Sequence, residues 1–131
     1  MPGKSQSHTD AVLNVLRGTD LTGVAPYVGL FSVAPADDNS AGTELAGNGY
    51  ARQAVTFGAP VTDAGNVRKV SNTSSITFGP ALADWSQAVA FGVFASVAGA
   101  LLYWDVLPTP KTVQQDDYSQ FGVGTLVVKE D

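Results

Sequence analysis

The chain is built from short apolar runs separated by turn and breaker residues, a pattern typical of β-strands rather than helices. β-branched and aromatic residues dominate the runs, whereas Gly, Pro, Asn and Asp collect between them. The runs predicted as strands are residues 27–33, 50–57, 67–70, 75–78, 87–95, 101–106 and 122–128. Their number and length predict an all-β fold, either an antiparallel β-sandwich or a jelly-roll-like barrel of about seven strands.

Phenylalanine is followed directly by glycine four times, each time within or at the end of a predicted strand. The pairs are Phe57-Gly58, Phe78-Gly79, Phe91-Gly92 and Phe121-Gly122. A ring packs on one face of a strand, and the glycine leaves the opposite face bare, so that a neighbouring backbone approaches or the strand bends. Because the pairs are unequally spaced, they do not indicate a solenoid or propeller repeat.

One short helix is predicted before the strands, at residues 9–17. Ser7 and Asp10 stand three residues apart, as in a capping box with Asp in place of the usual Glu or Gln. Apolar residues then recur at helical spacing up to Gly18, and glycine is a common C-terminal cap. Residues 1–8 are polar and predict a flexible N-terminal arm, followed by a single β-sandwich domain over residues 9–131.

Composition narrows the classes of function. The 131 residues include no cysteine, which excludes a disulfide framework and thiol chemistry. The formal net charge is −5 and the basic residues are scattered apart from Arg68-Lys69, so we expect no nucleic-acid partner. The uncharged stretch between Asp84 and Asp105 alternates bulky and small residues. This alternation indicates two buried strands and a turn, so we expect no membrane partner.

The longest segment without periodicity is the loop at residues 34–49, and loops of this length are usually functional or disordered. An EF-hand beginning at Asp37 would place Asn39 and Gly42 correctly. Ala41 and Asn48 would then stand where oxygen ligands are required, so the pattern fails. We expect a solvated polar loop without a metal site, with adventitious calcium binding as the alternative, and we expect this loop to provide a contact surface.

The sequence offers little support for a catalytic site. The single histidine, His8, lies near the chain start, where a general base is poorly held. Carboxylates that could pair for glycoside hydrolysis fall in turns or at strand ends, namely Asp37-Asp38, Asp116-Asp117, Asp84 and Asp105. Gly47-Asn48-Gly49 has hairpin turn chemistry and no phosphate-loop lysine follows it. We therefore predict no enzyme, no catalytic residues and no cofactor.

The aromatic residues leave one ligand-binding alternative, a carbohydrate-binding module. Tyr103 and Trp104 are adjacent on a predicted strand and must face opposite ways. We therefore expect one of the two in the core and the other exposed. The residues that could line such a surface are Tyr27, Tyr50, Trp85, Tyr103, Trp104 and Tyr118.

The block Gly-Tyr-Ala-Arg-Gln-Ala-Val-Thr-Phe-Gly at residues 49–58 resembles one found in a family of small bacteriophage virion proteins, commonly described as tail-fibre or minor structural proteins. Further matching segments occur in the same order on both sides of the block. They are residues 15–19, 27–31, 42–45, 71–73, 76–78, 91–94 and 101–103, together with Trp85. The resemblance extends from about Val12 to the C-terminus.

This resemblance implies a β-sandwich module with a structural role in the virion, assembled in the host cytoplasm. Family members are often longer, with fibre-forming or receptor-binding sequence after the module, whereas this chain ends at Asp131. On that ground our first hypothesis is a capsid decoration or cement protein that binds the major capsid protein, with residues 1–8 and the loop as contacts. A tail or fibre-base component bound to other virion proteins is the alternative. In either case we expect a homo-oligomer, with a trimer favoured.

Overall fold

Strands make up most of the ordered elements in the computed structural model, which describes residues 3–38 and 42–130. Within these residues one α-helix, α1, spans Gln6–Asn14. The strands are β1 Gly3–Lys4, β2 Tyr27–Val33, β3 Thr43–Glu44, β4 Gln53–Ala54, β5 Val61–Thr62, β6 Arg68–Ser71, β7 Ile76–Phe78, β8 Ala88–Phe94, β9 Leu101–Lys111, β10 Ser119–Phe121 and β11 Val127–Glu130. The prediction of an all-β, sandwich-like fold with one short helix is confirmed.

The strands form three antiparallel sheets. The main sheet has the order β1-β9-β8-β2-β3, and β4 pairs with the same edge of β2 as β3. A two-stranded sheet joins β10 to β7, and a three-stranded sheet has the order β11-β6-β5. The main sheet presents one face to the two smaller sheets, and this arrangement gives the fold its sandwich character.

Alternating residues of β2 and β8 supply the two faces of the main sheet. Val28 and Leu30 of β2 lie beside Val93 and Phe91 of β8, and these four side chains enter the main core. The smaller sheets add to the same core Ile76, Phe78, Phe121 and Val128. Each large apolar side chain that is fully buried contributes about 1.5–3 kcal/mol.

The opposite face of the main sheet carries a second apolar cluster that includes Phe31 and Phe94. Gly29 of β2 lies directly opposite Gly92 of β8 between these rings. A Cβ atom on Gly92 would lie 2.7 Å from the Phe31 ring and from Leu101. At Phe91-Gly92, therefore, the bare face of the strand admits neighbouring side chains rather than a neighbouring backbone.

The predicted strand at residues 27–33 has the same bounds as β2. Strands β6, β7 and β8 differ from their predicted ranges by one residue at one or both ends. Of residues 50–57, only Gln53–Ala54 form a strand, with an isolated bridge from Phe57 to Asn72. The expected strand at 122–128 is replaced by β10 and β11, because residues 122–125 form a turn in which Thr125 N donates to Gly122 O at 3.1 Å.

Strand β9 continues through Pro108 and Pro110, which we expected to end it. Ala90 pairs with Val106 and Ala88 pairs with Lys111, so the single residue between them on β8 lies opposite four residues of β9. The prolines therefore lie in a bulge, where their missing N–H groups cost no ladder hydrogen bond.

Helix α1 begins three residues earlier than predicted. Its N-cap is Ser5 rather than Ser7, and the Ser5 hydroxyl accepts a hydrogen bond from His8 N at 3.2 Å. Ser5 N also donates to Leu102 O at 2.9 Å, which attaches the cap to β9. The helical segment ends in a 3-10 turn, Val15–Arg17, and Gly18 follows with a φ of 86°, as expected for a C-terminal glycine.

The beginning of the chain differs from the expected loose arm. Residues 1 and 2 lie outside the described part, whereas Gly3 and Lys4 pair with Trp104 and Tyr103 of β9. The Trp104 indole lies over Gly3, so a Cβ atom at Gly3 would lie 1.9 Å from Trp104 Nε1. Any larger residue at this position would displace the indole, and residues 3–8 belong to the folded domain.

Candidate interaction surface

The Tyr50 hydroxyl fills a gap in the edge of β2. Strand β3 pairs with Phe31 and Val33, and β4 pairs with Tyr27 and Val28, so neither reaches the N–H of Leu30. That N–H donates to the Tyr50 hydroxyl at 3.0 Å. The ring of Tyr50 lies in the main core, stacked 6.1 Å from Phe78 and at right angles to Trp85.

Glu44 and Arg52 complete a network around this hydroxyl. The Tyr50 hydroxyl donates to Glu44 Oε2 at 2.6 Å, and Arg52 binds both Glu44 oxygens at 3.0 and 2.9 Å. The Arg52 guanidinium also covers the Phe94 ring at 3.4 Å and donates to Val97 O and Gly99 O. We call Glu44, Tyr50 and Arg52 the Arg52 network. Its bidentate pairing suits a planar guanidinium rather than a lysine.

Burial and the hydrogen bond to Glu44 raise the pKa of Tyr50 well above its ordinary value. The phenol is therefore neutral at physiological pH and donates rather than accepts toward Glu44. All three side chains are bonded within the chain, so the block at residues 49–58 stabilises the fold. The expectation that the loop at 34–49 is solvated fails at Glu44 and at Leu45, which is buried.

Asn72 is a second polar side chain with several internal hydrogen bonds. It lies in segment 71–73, one of those that resemble the virion protein family. It is 2% exposed. Its amide donates to Ser74 O at 2.8 Å and Gly122 O at 3.0 Å, and its carbonyl accepts from Leu126 N at 3.0 Å. Asn72 thus holds the turn at residues 122–125 against the end of β6.

An apolar groove with a charged rim lies where β6, β9 and β11 meet. Its floor is Val70, Tyr103 and Val128, and its volume is about 440 Å³. A smaller cavity of about 210 Å³ shares the three floor residues and extends them toward His8 and Val24. The rim of the larger cavity carries Arg68, Lys69, Lys129 and Glu130. We call this feature the β6–β11 groove.

Glu130 joins the groove to the beginning of the chain. It accepts hydrogen bonds from Lys4 Nζ and, at 2.6 Å, from the Tyr103 hydroxyl. Partial burial raises the pKa of Glu130, but the hydrogen bonds from Lys4 and Tyr103 outweigh it, so the net pKa lies below the ordinary value. His8 meets the other side of the Tyr103 ring edge-on at 5.0 Å. This contact makes His8 half-buried, not an exposed capping residue.

Partial burial, followed by the charge of Lys4, lowers the pKa of His8 below its ordinary value. The imidazole is therefore neutral at pH 7 and serves as a packing group on Tyr103. Within the described residues the imidazole forms no hydrogen bond to a carboxylate, and the backbone N of His8 donates to the Ser5 hydroxyl.

Apolar side chains are exposed along α1 and the segment after it. Leu16 is 86% exposed and Leu13 is 56% exposed. The other members of this N-terminal apolar surface are Val12, Val15, Leu21 and Val24. Large contiguous apolar patches are uncommon on monomeric proteins and often mark interaction sites, and we take these exposed side chains, which are close together in sequence, as a candidate for one. The spacing of these residues was visible in the sequence, but their exposure was not, because an amphipathic helix normally buries such a face.

Several of the candidate catalytic and aromatic residues have structural partners. Asp84 Oδ1 accepts from Gln115 N at 2.8 Å, and Asp105 Oδ1 accepts from Val106 N at 2.8 Å. Trp85 is buried, and its indole donates to Asn48 O at 2.8 Å. Trp85 therefore offers no ring face to a carbohydrate.

Tyr103 and Trp104 face opposite sides of β9, as predicted, but both are half-buried rather than one buried and one exposed. The polar group of each ring donates a hydrogen bond to a carboxylate. Tyr103 donates to Glu130, and Trp104 Nε1 donates to Asp37 Oδ1 at 2.9 Å. Asp37, the first residue of the rejected EF-hand pattern, thus fixes an indole. Asn39 and Ala41 lie outside the described residues.

Residues 3–38 and 42–130 contain no group of three or more His, Cys, Asp or Glu side chains placed to hold a metal ion. No helix in the same ranges is long and apolar enough to cross a membrane.

Comparison with known proteins places the chain in a family. No curated protein matches it. The family described as Podophage GP4 fiber I protein gp80 does match, over residues 3–129. That range covers nearly the whole chain and includes the Arg52 network, Asn72 and, apart from Glu130 at the end of β11, the strands of all three sheets. The chain therefore belongs to the Podophage GP4 fiber I protein gp80 family and is a bacteriophage virion structural protein.

Proposed function

We propose that this chain is a structural component of a podophage tail fibre or of the fibre base, and that it acts through protein–protein contacts rather than catalysis. The observation that carries the proposal is the match of residues 3–129 to a family named for a fibre protein. Because the matching family is not named for a head protein, it favours a fibre or fibre-base position over our first hypothesis, a capsid decoration or cement protein.

The N-terminal apolar surface is the contact that we assign to another virion protein. Leu13 and Leu16 are the most exposed members of its helical part. Burying such side chains stabilises an interface by about 25 cal/mol per Å² of apolar surface removed from water. The 3-10 turn at Val15–Arg17 and the cap at Gly18 hold Leu16 outward, so this surface is formed before binding.

Locating the chain on the phage particle tests whether it belongs to the tail or to the head shell. We expect a C-terminally tagged chain, imaged by cryo-electron microscopy with gold-labelled antibody on purified phage, to appear at the tail in a small, fixed number of copies. Label spread over the head shell in hundreds of copies would overturn the fibre proposal and restore the decoration hypothesis.

Incorporation of variant chains into phage particles tests whether the N-terminal apolar surface is the contact. We expect the double change Leu13→Ser and Leu16→Ser to reduce incorporation into particles at least tenfold while leaving the melting temperature of the purified chain nearly unchanged. Val123→Ser is the matched control, because Val123 is 64% exposed and lies in the turn before β11. Normal incorporation of the double variant would exclude the N-terminal apolar surface as the contact.

A further inference from the structure

An exposed acidic tip lies on the loop between β9 and β10. Asp116, Asp117 and Tyr118 are exposed, and Tyr118 is 60% exposed. Neither carboxylate forms an ion pair with another described residue. We call residues 116–118 the acidic tip. It presents two negative charges beside one aromatic ring, and aromatic side chains of this kind are enriched at protein interfaces.

The backbone of the acidic tip is held in place. Asp116 N donates to Ala81 O at 2.7 Å, and Ala81 N donates to Asp117 O at 3.0 Å. Asp116 has a φ of 68°, in the left-handed region that residues other than glycine seldom adopt. Because the tip is already ordered, little conformational entropy is lost when it binds.

The β6–β11 groove has the complementary chemistry. Its floor is apolar, and three cations contribute to its lining on a chain whose net charge is −5. Of these, Arg68 lies on the same face of the β6–β11 pair as Val70 and Val128, directly opposite Glu130. Asp63 lies 2.9 Å from Lys129 and 3.8 Å from Lys69, so those two charges are partly offset. Arg68 donates to Thr62 Oγ1 and Pro60 O, which are uncharged acceptors, so its positive charge is retained.

The groove and the tip lie toward opposite ends of the β8–β9 pair. Tyr103 of the groove pairs with Val93, whereas the tip follows Lys111, which pairs with Ala88. The five steps along the strand from Ala88 to Val93 span roughly 17 Å at about 3.3 Å per residue. A fixed tip therefore does not reach the groove of its own chain.

We infer that the acidic tip of one copy binds the β6–β11 groove of a second copy, with Tyr118 on the apolar floor and the two aspartates against the cationic rim. The contact is heterologous, because two different surfaces meet. Repetition therefore closes a ring or extends a filament, depending on the rotation between copies. This inference rests on the proposed function only in treating the chain as an assembly component.

Self-association of the purified full-length chain tests the inference. We expect sedimentation velocity at low salt to show oligomers whose population falls as salt is raised, since the rim charges are screened. Tyr118→Ser removes the aromatic anchor and weakens association about 30-fold, the typical effect at an interface hot spot. Arg68→Glu reverses one rim charge and has an effect in the same direction.

A mixing experiment separates this contact from others. The tip variant Asp116→Asn with Asp117→Asn retains a normal groove, and the groove variant Arg68→Glu retains a normal tip; the neutral tip of the first has no charge with which to bind the altered groove of the second. We expect each variant alone to be monomeric and a mixture of the two to form a one-to-one dimer that grows no further. The matched controls are Asp20→Asn and Arg17→Glu, which lie outside both surfaces and leave the wild-type oligomers intact.

Several outcomes overturn the inference. A wild-type chain that is monomeric at every concentration and salt excludes a second copy as the occupant. Loss of particle incorporation by Arg68→Glu, with a monomeric wild type, assigns the groove to another virion protein. A mixture that does not associate shows that tip and groove are not partners. None of these results bears on where the chain lies on the particle, so failure of the proposed function remains distinguishable.

Discussion

The Arg52 network and the β6–β11 groove use similar side chains in opposite ways. In the network, one arginine, one tyrosine and one glutamate bond to one another and to backbone atoms of β2 and the β8–β9 turn. In the groove, Arg68, Lys69 and Lys129 lie at a rim above an open apolar floor. The first region holds the fold together, and the second leaves charge and apolar surface for a partner.

This difference teaches where the family resemblance is informative. Tyr50, Arg52 and Asn72 belong to the segments that resemble bacteriophage virion proteins, and the structure assigns each an internal bonding role. These three residues are therefore informative about the fold and give little information about contacts with other proteins. The acidic tip and the four rim residues of the groove lie outside those segments, so the resemblance did not point to them.

Replacing the arginine of each region gives the largest expected difference in the free energy of unfolding. Arg52→Ala leaves Glu44 without its bidentate partner and uncovers Phe94, and we expect it to lower the free energy of unfolding by about 2–3 kcal/mol. The matched change Arg68→Ala is expected to cost less than about 0.5 kcal/mol, because Arg68 is exposed. Urea denaturation of both variants measures this, and equal losses would erase the distinction between the two regions.

A matched pair of tyrosines tests the same comparison at single-atom level. Tyr50→Phe removes the hydroxyl that accepts from Leu30 N and donates to Glu44, and we expect a loss of about 1–2 kcal/mol. Tyr118→Phe removes an exposed hydroxyl and is expected to leave stability unchanged in the same denaturation assay. A stable Tyr50→Phe protein would show that another group completes the edge of β2.

The sequence predicts those parts of the fold in which local pattern and tertiary pairing agree. The apolar runs of β2 and β8 are buried on both faces, so pattern alone locates them. The start of α1 was missed because Ser5 and Ser7 are both acceptable caps, and only the hydrogen bond from Ser5 N to Leu102 O selects Ser5. That bond depends on chain segments far apart in sequence.

The candidate surfaces were harder to predict for the same reason. The sequence shows Asp116, Asp117 and Tyr118 in a turn-like segment, but it does not show that a groove with the opposite charge exists. That groove forms only when Arg68, Tyr103 and Lys129 come together from three different strands. Glu44 was assigned to a solvated loop because its partner Arg52 lies eight residues away, beyond local periodicity.

Glu130 connects the groove to β1, and its effect depends on pH. Its hydrogen bonds from Lys4 and Tyr103 place its pKa below the ordinary value of 4.5. Its contribution to stability is therefore present above that value and is lost as the pH falls through the lowered pKa. We expect Glu130→Gln to cost about 0.5–1 kcal/mol at pH 7, as for a partly exposed ion pair, and almost nothing at pH 3.

Urea denaturation at both pH values checks this, and Lys4→Met serves as the matched control because it removes the same ion pair from the other side. The double variant should cost no more than either single variant at pH 7. A difference of the same size at pH 3 and pH 7 would show that the ionised carboxylate is not the stabilising group.

Ser119 provides the smallest expected effect and sharpens the contrast with Asn72. Both side chains are buried, but the Ser119 hydroxyl has no hydrogen-bond partner within the described residues, whereas the Asn72 amide is fully bonded. A buried hydroxyl without a partner carries a desolvation cost that alanine avoids. We therefore expect Ser119→Ala to raise the free energy of unfolding by up to about 1 kcal/mol. The exposed Ser86→Ala should change nothing, and a destabilised Ser119→Ala would show that this hydroxyl is bonded in the folded chain.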